Sequence, residues 1–368
     1  MRRFFCLALV ILAAAAVCAC QPLVPGSPDG SSQPPGPQQP VKQGLLQLSA
    51  TPKPGTAICS ADGRLLAMES DQGLLLVQNR DGCLQEVEIT LGQTPVLDMA
   101  LSSDGRWLAI ASADRLQVLS TEDGSVVSTI HWPHPISQAT LQVSQEGLNI
   151  ACLGDDCLYL FHGPLLNLRW CTKLVVRPAA QSLLMSNNGL TLIVVGDGFT
   201  VFSPDASSPL WKKELDGEIK AVALSEDGVY LAIELEQGPT GGQLLLFERW
   251  SSEPTWEFEH QAGATDLKFS PDGAWLALST DQFYLFSCRQ AQPVMQLQQA
   301  GATALNNGQV LLIAEESLYF FSAEKPEVVV WQLPLHEASE FTYVYSQREW
   351  LYAISADGLV SLVRLPVI

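Results

Sequence analysis

The stretch FSPDGAWLALSTDQFYLFS, Phe269–Ser287, contains the pattern that decides the fold. It predicts a strand ending in a Ser-Pro-Asp-Gly turn, an apolar second strand, a short acidic turn and an alternating third strand. Ser102–Ser120 (SSDGRWLAIASADRLQVLS) repeats this pattern closely, and the chain holds six looser copies. A unit of this kind cannot bury both of its faces alone, so the copies must pack on one another.

The copies recur at the spacing of propeller blades. We take the first turn of each copy as its anchor, and the anchors are Gly63, Gly105, Gly147, Gly189, Gly228, Gly273, Gly308 and, in degenerate form, Arg348. Successive anchors lie 35 to 45 residues apart, the period of four-stranded β-propeller blades. Second strands such as Leu190–Val195 are nearly continuous apolar runs, which is typical of strands covered on both faces. The pattern predicts an all-β fold.

The last repeat lacks an outer strand before the sequence stops. A short apolar segment near the start, Leu45–Ser49, has no place in any other repeat. If it completes the last blade, the ring closes through its own termini and leaves no bare edge there. We therefore predict one domain over residues 44–368: an eight-bladed β-propeller with four-stranded antiparallel blades, closed by an N-terminal strand. Seven blades with one degenerate repeat is the main alternative.

The first 43 residues predict export and tethering. Arg2 and Arg3 precede an apolar run, Phe4–Val17, that is short for a membrane span. The following Val-Cys-Ala-Cys resembles the lipobox of bacterial lipoproteins, which implies a signal peptide at residues 1–19 and lipid on Cys20. An ordinary secretory signal peptide is the alternative, and both export the chain. Residues 20–43 contain seven prolines and predict an extended, disordered tether.

The net charge of the chain argues against a nucleic-acid partner. The formal net charge is −19 at pH 7, whereas nucleic-acid binding needs a basic surface, so we expect no nucleic acid to bind. A basic protein, a polycation or a divalent ion is electrostatically more compatible with this chain. The excess of acidic residues is also explained if its role is solubility alone.

With these residues in view, residues 44–368 resemble the WD-repeat propellers. His260 lies thirteen residues before Gly273, the position of that family's Gly-His histidine, and Asp281 falls where the family keeps an aspartate. The resemblance implies a structural Asp–His contact and a platform for partners. The chain departs from the family because it has no Gly-His or Trp-Asp dipeptide. Phenylalanine occupies the tryptophan position at Phe161, Phe202, Phe247, Phe286 and Phe321, which removes an N–H donor from the family's polar network.

Every repeat has an acidic residue in the turn between its second and third strands. These residues are Asp71, Asp114, Asp155 with Asp156, Asp197, Glu236, Asp281, Glu315 with Glu316, and Asp357. Equivalent turns project from one face, so we expect a ring of negative charge around one mouth of the central channel. This ring is our candidate binding face; turn chemistry together with the family's Asp–His contact is the alternative reading. Trp132, in a loop on the same side, is a candidate exposed aromatic anchor.

Histidine and cysteine provide two further candidates. His131, His134, His260 and His336 should lie on that same side, but in different blades, and their spacing does not bring them to one ion. We assign no metal and no cofactor. Cys152 and Cys157 flank a predicted hairpin turn, which allows either a cross-strand disulfide or two buried free thiols.

Two functions remain open. The first is a non-catalytic scaffold, monomeric as a domain, that presents its acidic loop face to a protein or polymer partner outside the cytoplasmic membrane. The second is a propeller-type enzyme, such as a lactonase-like hydrolase or quinoprotein-like dehydrogenase, with its site at the channel mouth. The sequence has no Gly-x-Ser-x-Gly elbow and no phosphate-binding glycine loop, so we assign no catalytic residue. The fold alone does not choose between the two.

Overall fold

The computed structural model shows eight antiparallel β-sheets in chain order, seven of them with four strands. A single 3₁₀ turn, Gln145–Gly147, is the helical element among the described residues, and the all-β prediction is confirmed. The structure describes residues 9–10, 41–53, 56–60, 62–90, 95–174, 182–237, 241–261, 263–264, 266–298, 303–306, 309–314, 317–322, 325–334, 340–347, 350–355 and 358–364.

We number the sheets as blades 1 to 8 and name the strands inner, second, third and outer. The inner strands are Ile58–Cys59, Val96–Leu101, Ala139–Val143, Ser182–Met185, Glu218–Leu224, Asp266–Phe269, Thr303–Asn306 and Glu340–Gln347. The second strands are Leu65–Glu69, Trp107–Ser112, Asn149–Gly154, Leu192–Val195, Tyr230–Gln237, Trp275–Ser279, Gln309–Ala314 and Trp350–Ser355. The third strands are Leu74–Arg80, Arg115–Ser120, Cys157–His162, Gly198–Phe202, Gly241–Glu248, Gln282–Ser287, Ser317–Ser322 and Leu359–Arg364. The outer strands are Cys83–Ile89, Val126–His131, Asn167–Lys173, Trp211–Glu214, Pro254–His260, Pro293–Gln298, Lys325–Pro334 and, for blade 8, Val41–Gln47.

The N-terminal strand closes the ring. Val41–Gln47 pairs antiparallel with Leu359–Arg364, with Leu45 opposite Ser361, and it also contacts the outer strand of blade 1. The predicted closure is therefore confirmed. The strand starts earlier than predicted, because its backbone groups pair from Val41 onward, inside the segment we had assigned to the tether. A two-residue strand, Leu9–Val10, adds to the inner edge of blade 8.

The hydrophobic core is divided among the interfaces between blades. Between blades 5 and 6, for example, Ala232 and Leu246 pack with Leu276 and Phe286, all fully buried. Burying one such large side chain contributes about 1.5–3 kcal/mol. Separate clusters of the same kind join the other described pairs of neighbouring blades, including blade 8 with blade 1. Blades 1 to 5 thus each pack against a neighbour on both sides.

The anchor turn is a hydrogen-bonded unit built on a buried serine. In blade 6 the Ser270 hydroxyl donates to Asp272 (2.5 Å) and accepts from the Trp275 N–H (3.0 Å), while the Gly273 N–H donates to the Ser270 carbonyl (2.9 Å). Five other blades have a buried serine that accepts from the N–H five residues later. These serines are Ser60, Ser102, Ser144, Ser186 and Ser225. Sequence reasoning identified the turn glycines but not this role of serine.

Anchor glycines also contact the preceding blade. Gly228 of blade 5 has φ +71°, and a Cβ built on it would lie 2.6 Å from Thr191 Oγ1 and 2.8 Å from Ser186 Cβ of blade 4. Glycine is therefore required at this position for two reasons: the backbone is left-handed, and a side chain would collide with blade 4. Gly189 of blade 4 approaches Asn149 and Ser144 of blade 3 in the same way.

Tryptophans in the outer strands form a second tie between blades. The indole N–H groups of Trp170, Trp211 and Trp256 each donate to a backbone carbonyl of the next blade, at 2.8, 2.8 and 3.0 Å. Trp256 packs on Phe286 of blade 6, with ring centroids 5.4 Å apart. The phenylalanines in the third strands lack an N–H donor, as the sequence indicated, but the outer strands supply one.

The blade order gives the ring two distinct faces. The anchor face carries the turns between inner and second strands and those between third and outer strands. The acidic face carries the turns between second and third strands and the connections from one blade to the next.

The Gly228 contact leads to a stability prediction. Gly228→Ala should lower the free energy of unfolding by about 1–2 kcal/mol for the left-handed backbone and by roughly 1–3 kcal/mol more for the clash with blade 4. Gly163→Ala is the matched control, because Gly163 has φ +70° but nothing within 4 Å of its Cβ position. Denaturant unfolding measures both variants. Equal losses would show that the contact between blades contributes nothing.

Candidate functional site on the acidic face

The structure places the described turn acids on one face. Asp71, Asp114, Asp155, Asp197 and Asp281 lie in turns between second and third strands, and Glu236 is the last residue but one of the second strand of blade 5. Glu316 and Asp357 lie outside the described residues, as do Cys20 and His336. The predicted common face is therefore observed for blades 1 to 6, while the chemical environments of these carboxylates differ.

Asp155 links its own turn to the connection that enters blade 3. Its Oδ1 atom accepts hydrogen bonds from the Ser137 N–H (3.1 Å), the Ser137 hydroxyl (2.7 Å) and the Gln138 N–H (3.3 Å). Its backbone is left-handed, with φ +47°. Asp155 therefore fixes the entry into blade 3, a structural role that reaches beyond its own turn.

Glu236 and Asp114 have basic neighbours on the surface. Lys220 lies 2.5 Å from Glu236 and 3.0 Å from Glu218, and the hydrogen bonds to Glu236 and then to Glu218 raise the pKa of the lysine. Arg115 lies 3.5 Å from Asp114. Pairing of exposed groups contributes little to stability, but it reduces the negative field that these two carboxylates project.

Three carboxylates of the face are exposed and lie in different blades. These are Asp71 in blade 1, Asp197 in blade 4 and Asp281 in blade 6. Asp281 accepts a hydrogen bond from the Thr280 hydroxyl (3.0 Å). The side chains of these three residues are exposed to solvent on the acidic face.

The histidine expected to contact Asp281 is paired elsewhere. His260 Nε2 lies 2.7 Å from Glu234 Oε1, and both side chains are only 1% exposed. Gly242, on the strand between them, allows this contact, since its Cβ would lie 2.1 Å from Glu234 Oε1 and 2.4 Å from His260 Cε1. The pair is flanked by Phe258 and Tyr284. The Asp–His contact that the resemblance implied is therefore replaced by a Glu–His contact within blade 5.

The other described histidines of the predicted cluster lie in a different part of the ring. His131 ends the outer strand of blade 2, and His134 lies in the connection to blade 3; both are exposed. Among the residues that the structure describes, no three histidine, cysteine, aspartate or glutamate side chains form a group suited to a metal ion.

Trp132 was predicted as an exposed aromatic anchor, and this prediction is wrong. The residue is 8% exposed and packs in the core between blades 2 and 3, with its ring 5.4 Å from that of Tyr159. Its indole N–H donates to the Ser112 carbonyl (3.0 Å). Burial with a satisfied donor makes Trp132 a packing residue.

The predicted disulfide between Cys152 and Cys157 is also not formed, and both thiols are free. The hairpin pairs Gly154 with Cys157 and places Tyr159, not Cys157, opposite Cys152. Diagonal residues of this kind lie about 7–8 Å apart, which is too far for a disulfide. Burial, and then the charge of Asp98, raises the pKa of the Cys152 thiol, so this cysteine remains an unreactive buried group.

Comparison with known proteins agrees with this architecture. The WD40 family, described as WD domain, G-beta repeat, matches residues 84–116 and 252–283. The first match begins within the outer strand Cys83–Ile89 and the second just before the outer strand Pro254–His260, and each continues into the next blade. The chain is a WD-repeat-like β-propeller. The matches cover parts of the best sequence copies, in blades 2 and 6.

Similar proteins have diverse roles. Minichromosome loss protein 1 of Schizosaccharomyces pombe is 27% identical over 157 residues, which are 39% of this chain and 19% of that protein. BamB from Moraxella catarrhalis has a TM-score of 0.58 at 12% identity, over 89% of this chain and 100% of that one. The dihydro-heme d1 dehydrogenase NirN has a TM-score of 0.59 at 17% identity, over 77% of this chain and 67% of that one. Identities this low show the shared fold alone.

The Glu234–His260 pair leads to the prediction for this site. Glu234→Met or His260→Phe alone should each cost about 3–5 kcal/mol of unfolding free energy, because each leaves its partner buried and unpaired. The double variant should recover most of that loss, since two apolar side chains can pack against each other and leave no polar group of the pair buried and unpaired. A double-mutant cycle by denaturant unfolding measures the coupling. Additive losses would show that the two side chains do not interact.

Proposed function

We propose that this propeller is a non-catalytic binding scaffold that presents its acidic face to a basic protein or polymer. The observation that carries the proposal is the arrangement of exposed carboxylates Asp71, Asp197 and Asp281 on one face of a closed ring. WD-repeat propellers generally act as platforms, and the net charge of −19 favours a basic partner.

We further propose that the domain is held outside the cytoplasmic membrane by lipid on Cys20. The Val-Cys-Ala-Cys sequence and the proline-rich segment after it support this proposal. Cleavage before Cys20 would also remove Leu9–Val10 and leave blade 8 with four strands, like the other blades. Among the described residues, no helix has the length and apolar character to cross a membrane. Secretion without a lipid is the alternative.

Neutralising the exposed acids tests the binding face. The variant Asp71→Asn/Asp197→Asn/Asp281→Asn should bind poly-L-lysine on the order of tenfold more weakly at low salt, because the field at that face falls. Isothermal titration calorimetry across a salt series measures the affinity.

The control for this test removes the same charge from the anchor face. Asp81, Glu122 and Asp205 are exposed there, and Asp81→Asn/Glu122→Gln/Asp205→Asn should retain nearly the wild-type affinity. An equal loss in both triple variants would mean that total charge, and not the acidic face, attracts the polymer.

Metabolic labelling with radioactive palmitate tests the anchor. The wild type and Cys18→Ala should incorporate label, whereas Cys20→Ala should not, because the lipid requires the Cys20 thiol. Equal labelling of all three would place the lipid elsewhere. A wild type without label would indicate a secreted protein.

A further inference from the structure

Exposed apolar side chains gather on the anchor face, opposite the candidate binding face. Nine large hydrophobic residues are strongly exposed among the described residues. Six of them lie at anchor-face turns of blades 3, 4 and 5, and we call these the apolar patch: Leu148, Leu165, Leu190, Leu210, Val229 and Trp250. Exposed apolar surface of this kind marks a site of contact with a protein or a membrane.

Trp250 has the environment of an interfacial residue. Its side chain is 73% exposed, and the Arg249 guanidinium carbon lies 4.2 Å above its ring. Arg249 also donates to the Leu190 carbonyl (2.5 Å), which ties the turn of blade 5 to blade 4. Tryptophan beside a cation suits the headgroup layer of a bilayer, where the ring meets apolar chains and the cation meets phosphate.

Most of the described arginines lie on the same face as the apolar patch. Six of the eight described arginines lie at or beside turns of the anchor face: Arg64, Arg80, Arg106, Arg249, Arg289 and Arg364. Arg115 lies on the acidic face. The anchor face also carries exposed carboxylates, and three of them, Asp205, Asp227 and Glu253, lie at the turns of blades 4 and 5 beside the patch. Net charge therefore does not attract this face to an anionic surface, and the contact depends on the apolar side chains.

The tether leaves the domain from this same face. Val41 pairs with Arg364, and Arg364 is the last residue of a third strand, which ends on the anchor face. Twenty-one residue steps separate Cys20 from Val41, enough to reach about 65 Å when extended. In a ring of eight blades, blade 4 lies opposite blade 8, so the patch and the tether attach at opposite sides of one face.

We propose that the anchor face docks on a phospholipid bilayer, with the apolar patch inserted among the headgroups and the acidic face directed away from the membrane. This proposal rests on the proposed lipid anchor at Cys20. The tether holds the domain near the surface, and the patch gives the second contact that orients it. Shallow apolar tips bind such a surface through the apolar area that they bury among the headgroups.

Quenching of Trp250 by brominated lipid tests the docking. The acylated full chain is reconstituted in vesicles of phosphatidylethanolamine and phosphatidylglycerol that carry brominated acyl chains, and flotation confirms attachment. We expect tryptophan quenching, with most of it lost in Trp250→Phe. The control Trp250→Phe/Asp71→Trp places an exposed tryptophan on the acidic face and should regain no quenching.

The outcomes separate the docking from the anchor. Flotation without quenching at Trp250 overturns the docking and leaves the anchor standing, as does quenching restored by Asp71→Trp. A sedimenting dimer that protects Trp250 from quenching would assign the patch to a second copy instead. Failure of the acylated chain to float removes the tether, and the docking proposal falls with it.

Discussion

The antiparallel pairing of Val41–Gln47 with Leu359–Arg364 is the constraint on which the ring depends. A blade buries its two faces only against neighbours, and each described interface between neighbouring blades has its own apolar cluster. The cluster between blades 8 and 1 combines Leu48 from the closing segment with Met68 and Val77 of blade 1 and Leu362 of blade 8. Without the closing strand, blade 8 would present a bare edge and this cluster would lose one side.

The two faces of the ring differ in the contacts that their residues make with neighbouring blades. On the anchor face, glycines such as Gly228 lie against the preceding blade, and indoles such as Trp256 bond to the next one. The acids of the second–third turns on the acidic face differ in their contacts: Asp155 links its turn to the connection that enters blade 3, while Asp281 remains exposed.

The sequence predicted features that depend on period and on local turn chemistry. The repeat spacing, the closing strand and the common face of the turn acids all follow from such patterns. Predictions from the sequence were wrong where a contact depends on the register of a neighbouring strand or on the position of a neighbouring blade. Trp132 lies between His131 and Pro133, yet it folds back onto Ser112. The hairpin register places Tyr159 opposite Cys152, two residues away from Cys157, and so keeps the two cysteines apart.

The sequence contains a pattern that marks the tryptophan hydrogen bonds between blades. Trp170 and Trp211 follow their anchor glycines at nearly the same distance, 23 and 22 residues, which marks an outer-strand position shared by both blades. Glu234 gave no such signal, because its pairing with His260 requires the bare backbone of Gly242 between them. Contacts that need a missing side chain are hard to infer from residue types alone.

Comparison of two truncations tests the closed ring most directly. A chain that begins at residue 41 keeps the closing strand, and a chain that begins at residue 48 lacks it. Ring closure predicts that the first unfolds in denaturant at the same midpoint as the full-length chain, while the second is strongly destabilised and aggregates through the exposed edge of Leu359–Arg364. Equal midpoints for the two truncations would contradict closure by the N-terminal strand.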